Sequence, residues 1–194
     1  MAESVLHPPE ILVSSDNLII SRWPDKAMLD LRLSPVPETQ QHIQNAIGCI
    51  LPADPNSFVT SASLRIGWLG PDEWVMTGAR DAIAQAEANL ALHLTDVHHS
   101  LVDISGNRSC FSVAGADAVN LVAVGCSLDF AGPTFESDLC VQTLLARAQV
   151  MIFKQRETQS FEIYPRRSFS SYLSLWLQTA AREFIDQGNS ETIF

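Results

Sequence analysis

The sequence predicts an α+β fold made of two similar halves, each a split βαβ-type (ferredoxin-like) arrangement of mostly antiparallel sheets flanked by helices. Three observations carry this. The order strand, helix, strand, strand, helix occurs twice along the chain. Two short turns, Gly70-Pro71-Asp72 and Gly106-Asn107, each separate runs of strand-like hydrophobicity, as hairpins do. Helical periods interrupt these hairpins instead of alternating with single strands, which argues against a doubly wound parallel sheet.

Residues 1–27 carry Pro8-Pro9 and Ser14-Ser15-Asp16 without a sustained period and are expected to form an extended or loosely docked arm. Period-two alternation predicts a strand over 27–33, AMLDLRL. Pro37 and Glu38 open a helix over 39–47 that ends near Gly48. Residues 50–62 are turn-rich. Strands over 64–69 and 73–77 flank the Gly-Pro-Asp turn, and a helix over 79–93 places Ile83, Ala86 and Leu90 on one face.

The second half opens with strands over 100–105 and 108–113, joined by Gly106-Asn107 as a primed hairpin turn. An apolar helix over 116–125 follows Gly115, and a loop spans 126–139. Strands over 141–153 and 160–164 come next. Ser168 then caps a helix reaching residue 185, with Phe169, Tyr172, Leu173, Trp176, Ala180 and Phe184 as its core stripe. The expected organisation is thus an arm (1–27), a first half (28–96), a second half (97–187) and a tail (188–194), packed as one compact unit.

The two tryptophans beside the first turn pose a question of their own. If residues 70–73 form that turn, Leu69 lies opposite Trp74 and Trp68 opposite Val75. Leu69, Trp74 and Met76 then share one face, and Ile66, Trp68 and Val75 the other. Two apolar faces call for either a second layer of this chain or a partner.

A chain of 194 residues with 46% hydrophobic content can bury a substantial core. Its 12 Lys and Arg against 22 Asp and Glu give a net charge of −10, which repels phosphate backbones and anionic lipid, so neither nucleic acid nor membrane is an expected partner. No apolar run spans a bilayer, and the start lacks a secretory signal, which points to the cytoplasm. Cys49, Cys110, Cys126 and Cys140 show no paired spacing and read as reduced, mostly buried thiols.

Motifs for chemistry are sparse. His93, His98 and His99 lack the spacing of a metal site, because adjacent histidines on a strand point to opposite faces. Neither a glycine-rich phosphate loop nor a nucleophile elbow occurs. Asp129, in the loop after the apolar helix, is a candidate for holding a ligand amine or heterocycle, or else a local turn cap. Asp103 pairs with Arg108 across the expected hairpin or accepts backbone hydrogen bonds. Arg166 and Arg167 precede the last helix, where its dipole disfavours cations. In so acidic a chain, this suggests a carboxylate partner for at least one of them, within the chain or across an interface.

Taken in order, several motifs match a known pattern: Gly70-Pro71-Asp72-Glu73-Trp74, Asp103-Ile104-Ser105 with Arg108, Gly115-Ala116-Asp117-Ala118, Gly125-Cys126 with Leu128-Asp129, Gln142-Thr143 before Ala146-Arg147-Ala148, and Arg167-Ser168-Phe169 with Tyr172-Leu173 and Trp176-Leu177. Over roughly residues 28–185 the chain resembles the gamma subunit of heterotetrameric sarcosine oxidase, and through it the folate-binding domain of the glycine-cleavage aminomethyltransferases. The later glycine-rich segment that carries the catalytic aspartate of those transferases has no counterpart after Gln142. The resemblance therefore implies an inherited fold with an emptied active site and no catalytic or metal-binding residue.

It also implies partners: alpha, which binds NAD and carries a folate-binding domain; beta, which binds FAD, with FMN held between alpha and beta; and delta, a small zinc protein. Such a complex oxidises sarcosine to glycine with hydrogen peroxide and formaldehyde or methylenetetrahydrofolate. On this reading the chain docks chiefly on alpha and binds no cofactor itself, with Trp68, Pro71, Trp74, Arg166, Arg167 and Trp176 as interface candidates. Two alternatives stand beside it: a free-standing folate-dependent one-carbon transferase using Asp129, and a homodimeric scaffold without an oxidase.

Overall fold

Residues 8–24 of the expected arm are not loosely docked. In the computed structural model, which describes residues 8–24, 26–132, 138–158 and 160–185, they form β1 (Glu10–Ser14) and β2 (Ile19–Trp23), an antiparallel pair. Leu18 and Ile20 are fully buried. The order is hidden in the sequence because each strand is only five residues long and the connecting turn is rich in polar residues. The expected tail lies outside the described residues.

The described residues divide into two compact units, 26–106 and 8–24 with 107–185. In the first, β3 (Lys26–Leu33) turns Ala27, Leu29, Leu31 and Leu33 to the helix-covered face. α1 (Pro37–Ile47) starts with Pro37, whose fixed φ suits a first helical turn, and ends where Gly48 takes φ 77° and donates its N–H to the Gln44 carbonyl. The strands β4 (Phe58–Ser61), β5 (Leu64–Gly70) and β6 (Glu73–Ala79) follow, then α2 (Arg80–His93) and β7 (His99–Asp103). The sheet order is β4-β5-β6-β3-β7, antiparallel throughout.

The expected pairing of the tryptophan hairpin is off by one residue. An irregularity between Trp68 and Gly70 leaves Leu69 as an extra residue, so Trp68 pairs with Trp74, Ile66 with Met76 and Gly67 with Val75. Ile66, Trp68, Trp74 and Met76 therefore share the face that packs on the helices. Val75, on the other face, is also buried.

The second hairpin, expected around Gly106-Asn107, does not exist. β7 pairs with β3 in the first unit, whereas β8 (Cys110–Ala114) pairs with β2 and the later β11 in the second. Neither Gly106 nor Asn107 takes the positive φ that a primed turn requires. Asp103 closes the end of β7 instead, accepting hydrogen bonds at 2.8 Å from Ser105 N and 2.5 Å from Ser105 Oγ. The Ser105 hydroxyl in turn accepts the Met28 N–H at 3.0 Å, and Asp103 does not pair with Arg108.

In the second unit, α3 (Ala118–Ala123) is followed by β9 (Leu139–Leu145), β10 (Ala148–Gln155) and β11 (Ser160–Pro165). A 3-10 turn, Arg167–Phe169, then leads into α4 (Ser170–Ile185), with no side-chain cap at the start of that turn. The single strand expected over 141–153 is a hairpin, with Leu145 paired to Ala148. Its turn carries neither Gly nor Asn: Ala146 adopts φ 53°, held by a 2.8 Å hydrogen bond from its N–H to the Gly125 carbonyl.

The sheet order is β1-β2-β8-β11-β10-β9, and its core joins Ile20, Phe111, Val113, Ile152 and Ile163 to Leu173, Leu177 and Ala181 of α4. The duplication is explicit in the topology. β3-α1-β4-β5-β6-α2 and β8-α3-β9-β10-β11-α4 share connectivity and sheet order, β4-β5-β6-β3 matching β9-β10-β11-β8. The position beside β3 is filled by β7, from after the repeat; the position beside β8 is filled by β2, from before it. Each unit is thus a ferredoxin-like sheet with added strands, β7 in the first and the β1–β2 pair in the second.

Candidate functional site

The interface candidates behave differently from one another. Trp74 is 1% exposed, and its Nε1 donates to the Pro52 carbonyl at 2.9 Å, so it is a core residue and offers no surface to a partner. Trp68 is half-buried against the same core. Pro71, at the exposed hairpin tip, lines an open cavity of about 890 Å³ with Arg32, Leu33, Asp72, His98 and His99. Arg32 meets Glu73 at 2.7 Å and Asp30 at 3.5 Å. The Glu73 charge is the main cause holding its guanidinium above the ordinary value.

In the second unit Arg166 and Arg167 are exposed. Arg166 forms an antiparallel bridge with Arg108, which sequence spacing did not connect to it. Arg108 is partly buried and donates from Nη1 to the Tyr164 carbonyl at 2.9 Å. Burial first, then repulsion from Arg166, draws its guanidinium below the ordinary value. The two arginines line a cavity of about 300 Å³ with Gln142, Thr143, Leu144, Gln149 and Val150. Burial pushes the Cys140 thiol up to about 12 against the opposing influence of Arg108.

Trp176 is committed in part to its own unit. A Cβ at Gly125 would lie 2.5 Å from its ring, so glycine is required for the indole to settle there. Tyr172 and Phe169, both exposed, meet edge to face at 6.3 Å, and the Tyr172 hydroxyl accepts the Arg147 N–H at 3.3 Å.

Asp129 is used within its own loop. It is exposed, its Oδ1 accepts the Ala131 N–H at 3.2 Å, and its carbonyl accepts the Gly132 N–H at 3.1 Å, which makes it the cap of its own turn. Among the described residues, no three His, Cys, Asp or Glu side chains converge as a metal would require. Nor is any helix long and apolar enough to cross a membrane.

A sequence profile described as "Sarcosine oxidase, gamma subunit family" matches residues 35–183. The chain belongs to the sarcosine oxidase gamma subunit family. The gamma subunit of Corynebacterium sp. (strain P-1) is 33% identical over 120 residues, 62% of this chain and 58% of that protein. That of Corynebacterium sp. (strain U-96) is 31% identical over 163 residues, 79% of this chain and 75% of the relative. The fold is similar to a chain of the heterotetrameric sarcosine oxidase from Corynebacterium sp. U-96, solved in complex with pyrrole 2-carboxylate, with TM-score 0.75, 25% identity and coverage of 89% and 88%. Glycine cleavage system aminomethyltransferase T from Bartonella henselae shares the fold, with TM-score 0.57, 11% identity and coverage of 78% of this chain and 43% of that one.

The family motifs can now be given physical roles. Asp103 and Ser105 tie the end of β7 to β3. Gly115, at φ 117°, admits the Asn17 carbonyl, which a Cβ would meet at 2.2 Å and which accepts the Asp117 N–H at 3.1 Å. Gly125 seats Trp176. In this member of the family the motifs thus hold backbones together.

Proposed function

We propose that the chain is a non-catalytic gamma subunit of a heterotetrameric sarcosine oxidase, docking chiefly on the alpha subunit. The observation that carries this is the family match across 35–183, together with near-complete mutual coverage with a chain of a heterotetrameric enzyme. In this reading, sarcosine oxidation and the binding of FAD, FMN, NAD, tetrahydrofolate and zinc belong to the alpha, beta and delta chains. In this reading the assembly is cytoplasmic, the compartment in which thiols such as those of Cys49, Cys126 and Cys140 stay reduced. Pro71, Trp68, Arg166, Arg167 and the exposed edge of Trp176 are the proposed docking residues. The free-standing transferase reading loses its main support, since Asp129 caps a turn.

Co-expression with the other three subunits tests the proposal. A tagged copy of this chain should retain the large subunit through size exclusion, with a flavin absorbance in the shared peak. A tagged chain eluting alone as a stable monomer would contradict it.

A further inference from the structure

Arg108 and Arg166 are directly opposed across an antiparallel bridge, a position where like charges repel. The bond from Arg108 to the Tyr164 carbonyl fixes one guanidinium within the cavity, while Arg166 stands at the exposed edge. The other polar groups of the lining, Gln142, Thr143 and Gln149, are neutral and carry amide or hydroxyl donors. No acidic residue lines the cavity, and neither arginine joins an ion pair among the described residues. In a chain of net charge −10, two guanidiniums thus line one cavity without a counter-charge among the described residues.

We propose that this cavity binds a carboxylate, held by the forks of Arg108 and Arg166, with the side chains of Gln142, Thr143 and Gln149 completing its hydrogen bonds. Guanidinium geometry matches a carboxylate bidentately, and about 300 Å³ suits a short acid or a single acidic side chain. A bound carboxylate also offsets the repulsion from Arg166 that, after burial, draws the Arg108 guanidinium below its ordinary value. The same chemistry is offered by a free small acid or by an Asp or Glu that a partner subunit presents. The second source rests on the proposed function; the first does not.

Two measurements separate the sources. Malonate is titrated into the full chain while the arginine Nε–H signals are followed by NMR. A saturable shift identifies a free-acid site. It should weaken by roughly tenfold in Arg166→Gln, the loss of one charge-assisted pair, and stay unchanged in Arg182→Gln, which neutralises an exposed arginine on α4. In the second arm, subunits are co-expressed with Arg166→Glu or Arg166→Lys. Assembly weakened at least about tenfold by Glu and largely kept by Lys identifies a partner carboxylate. If malonate gives no saturable shift and Arg166→Glu leaves assembly unchanged, or no assembly forms to be weakened, the proposal is overturned. Failure of the wild-type chain to assemble while malonate still binds refutes only the gamma-subunit reading.

Discussion

Trp74 heads the fully buried side chains by volume and is tied by its indole N–H to the Pro52 carbonyl. Trp74→Ala should therefore destabilise the fold by about 3–5 kcal/mol, the usual range for removing a large buried aromatic, measured by urea denaturation of the isolated chain. Thr77 is the opposite case: its hydroxyl is buried without a hydrogen-bond partner. Thr77→Val, nearly the same shape, should be neutral or stabilising by about 1 kcal/mol in the same assay. The thiols give a pH test. With Cys140 pushed up to about 12 and Cys110 and Cys126 buried, a thiolate-directed reagent at pH 8 should label half-buried Cys49 first. The other three should react only on unfolding. At this scale the sequence misplaced Trp74 because a single extra residue, Leu69, changes the pairing of every side chain beyond it. The Arg108–Arg166 pair was illegible for a different reason: only sheet pairing brings the two together.

Among the elements, the legible ones were those with long periods or strong punctuation. α1 between Pro37 and Gly48, α2 with Ile83, Ala86 and Leu90 inward, and the strands around Gly70-Pro71 all stand near their expected bounds. β4 and the β9–β10 hairpin were missed for one physical cause: turns built without the residues that usually mark them. Ala62 in the β4–β5 turn and Ala146 in the β9–β10 turn take positive φ, where glycine or asparagine is the common choice. Gly106-Asn107 carries the hairpin signature yet joins strands of different sheets. β2 gives the sharpest test here, because it pairs along all of β8 and contributes Ile20 to the core. A chain starting at residue 26 should expose the β8 edge and lose cooperative unfolding of the second unit, read by hydrogen exchange of β8 and β11 amides. A dispensable arm would leave their protection unchanged.

For the whole molecule, the sequence carried the fold class and the family through the order of its motifs, and the structure explains why those motifs mark the family. Asp103, Gly115 and Gly125 secure close backbone and ring approaches on which this fold depends. They report on folding and leave catalysis unaddressed, so the functional claim rests on assembly. The most direct measurement is native mass spectrometry of the four co-expressed subunits, paired with a sarcosine-dependent peroxide assay of the same preparation and of this chain alone. The account predicts one copy of this chain in an active flavin-containing complex and no activity in the isolated chain. An active complex that forms without this chain, or sarcosine turnover by the chain alone, would contradict it.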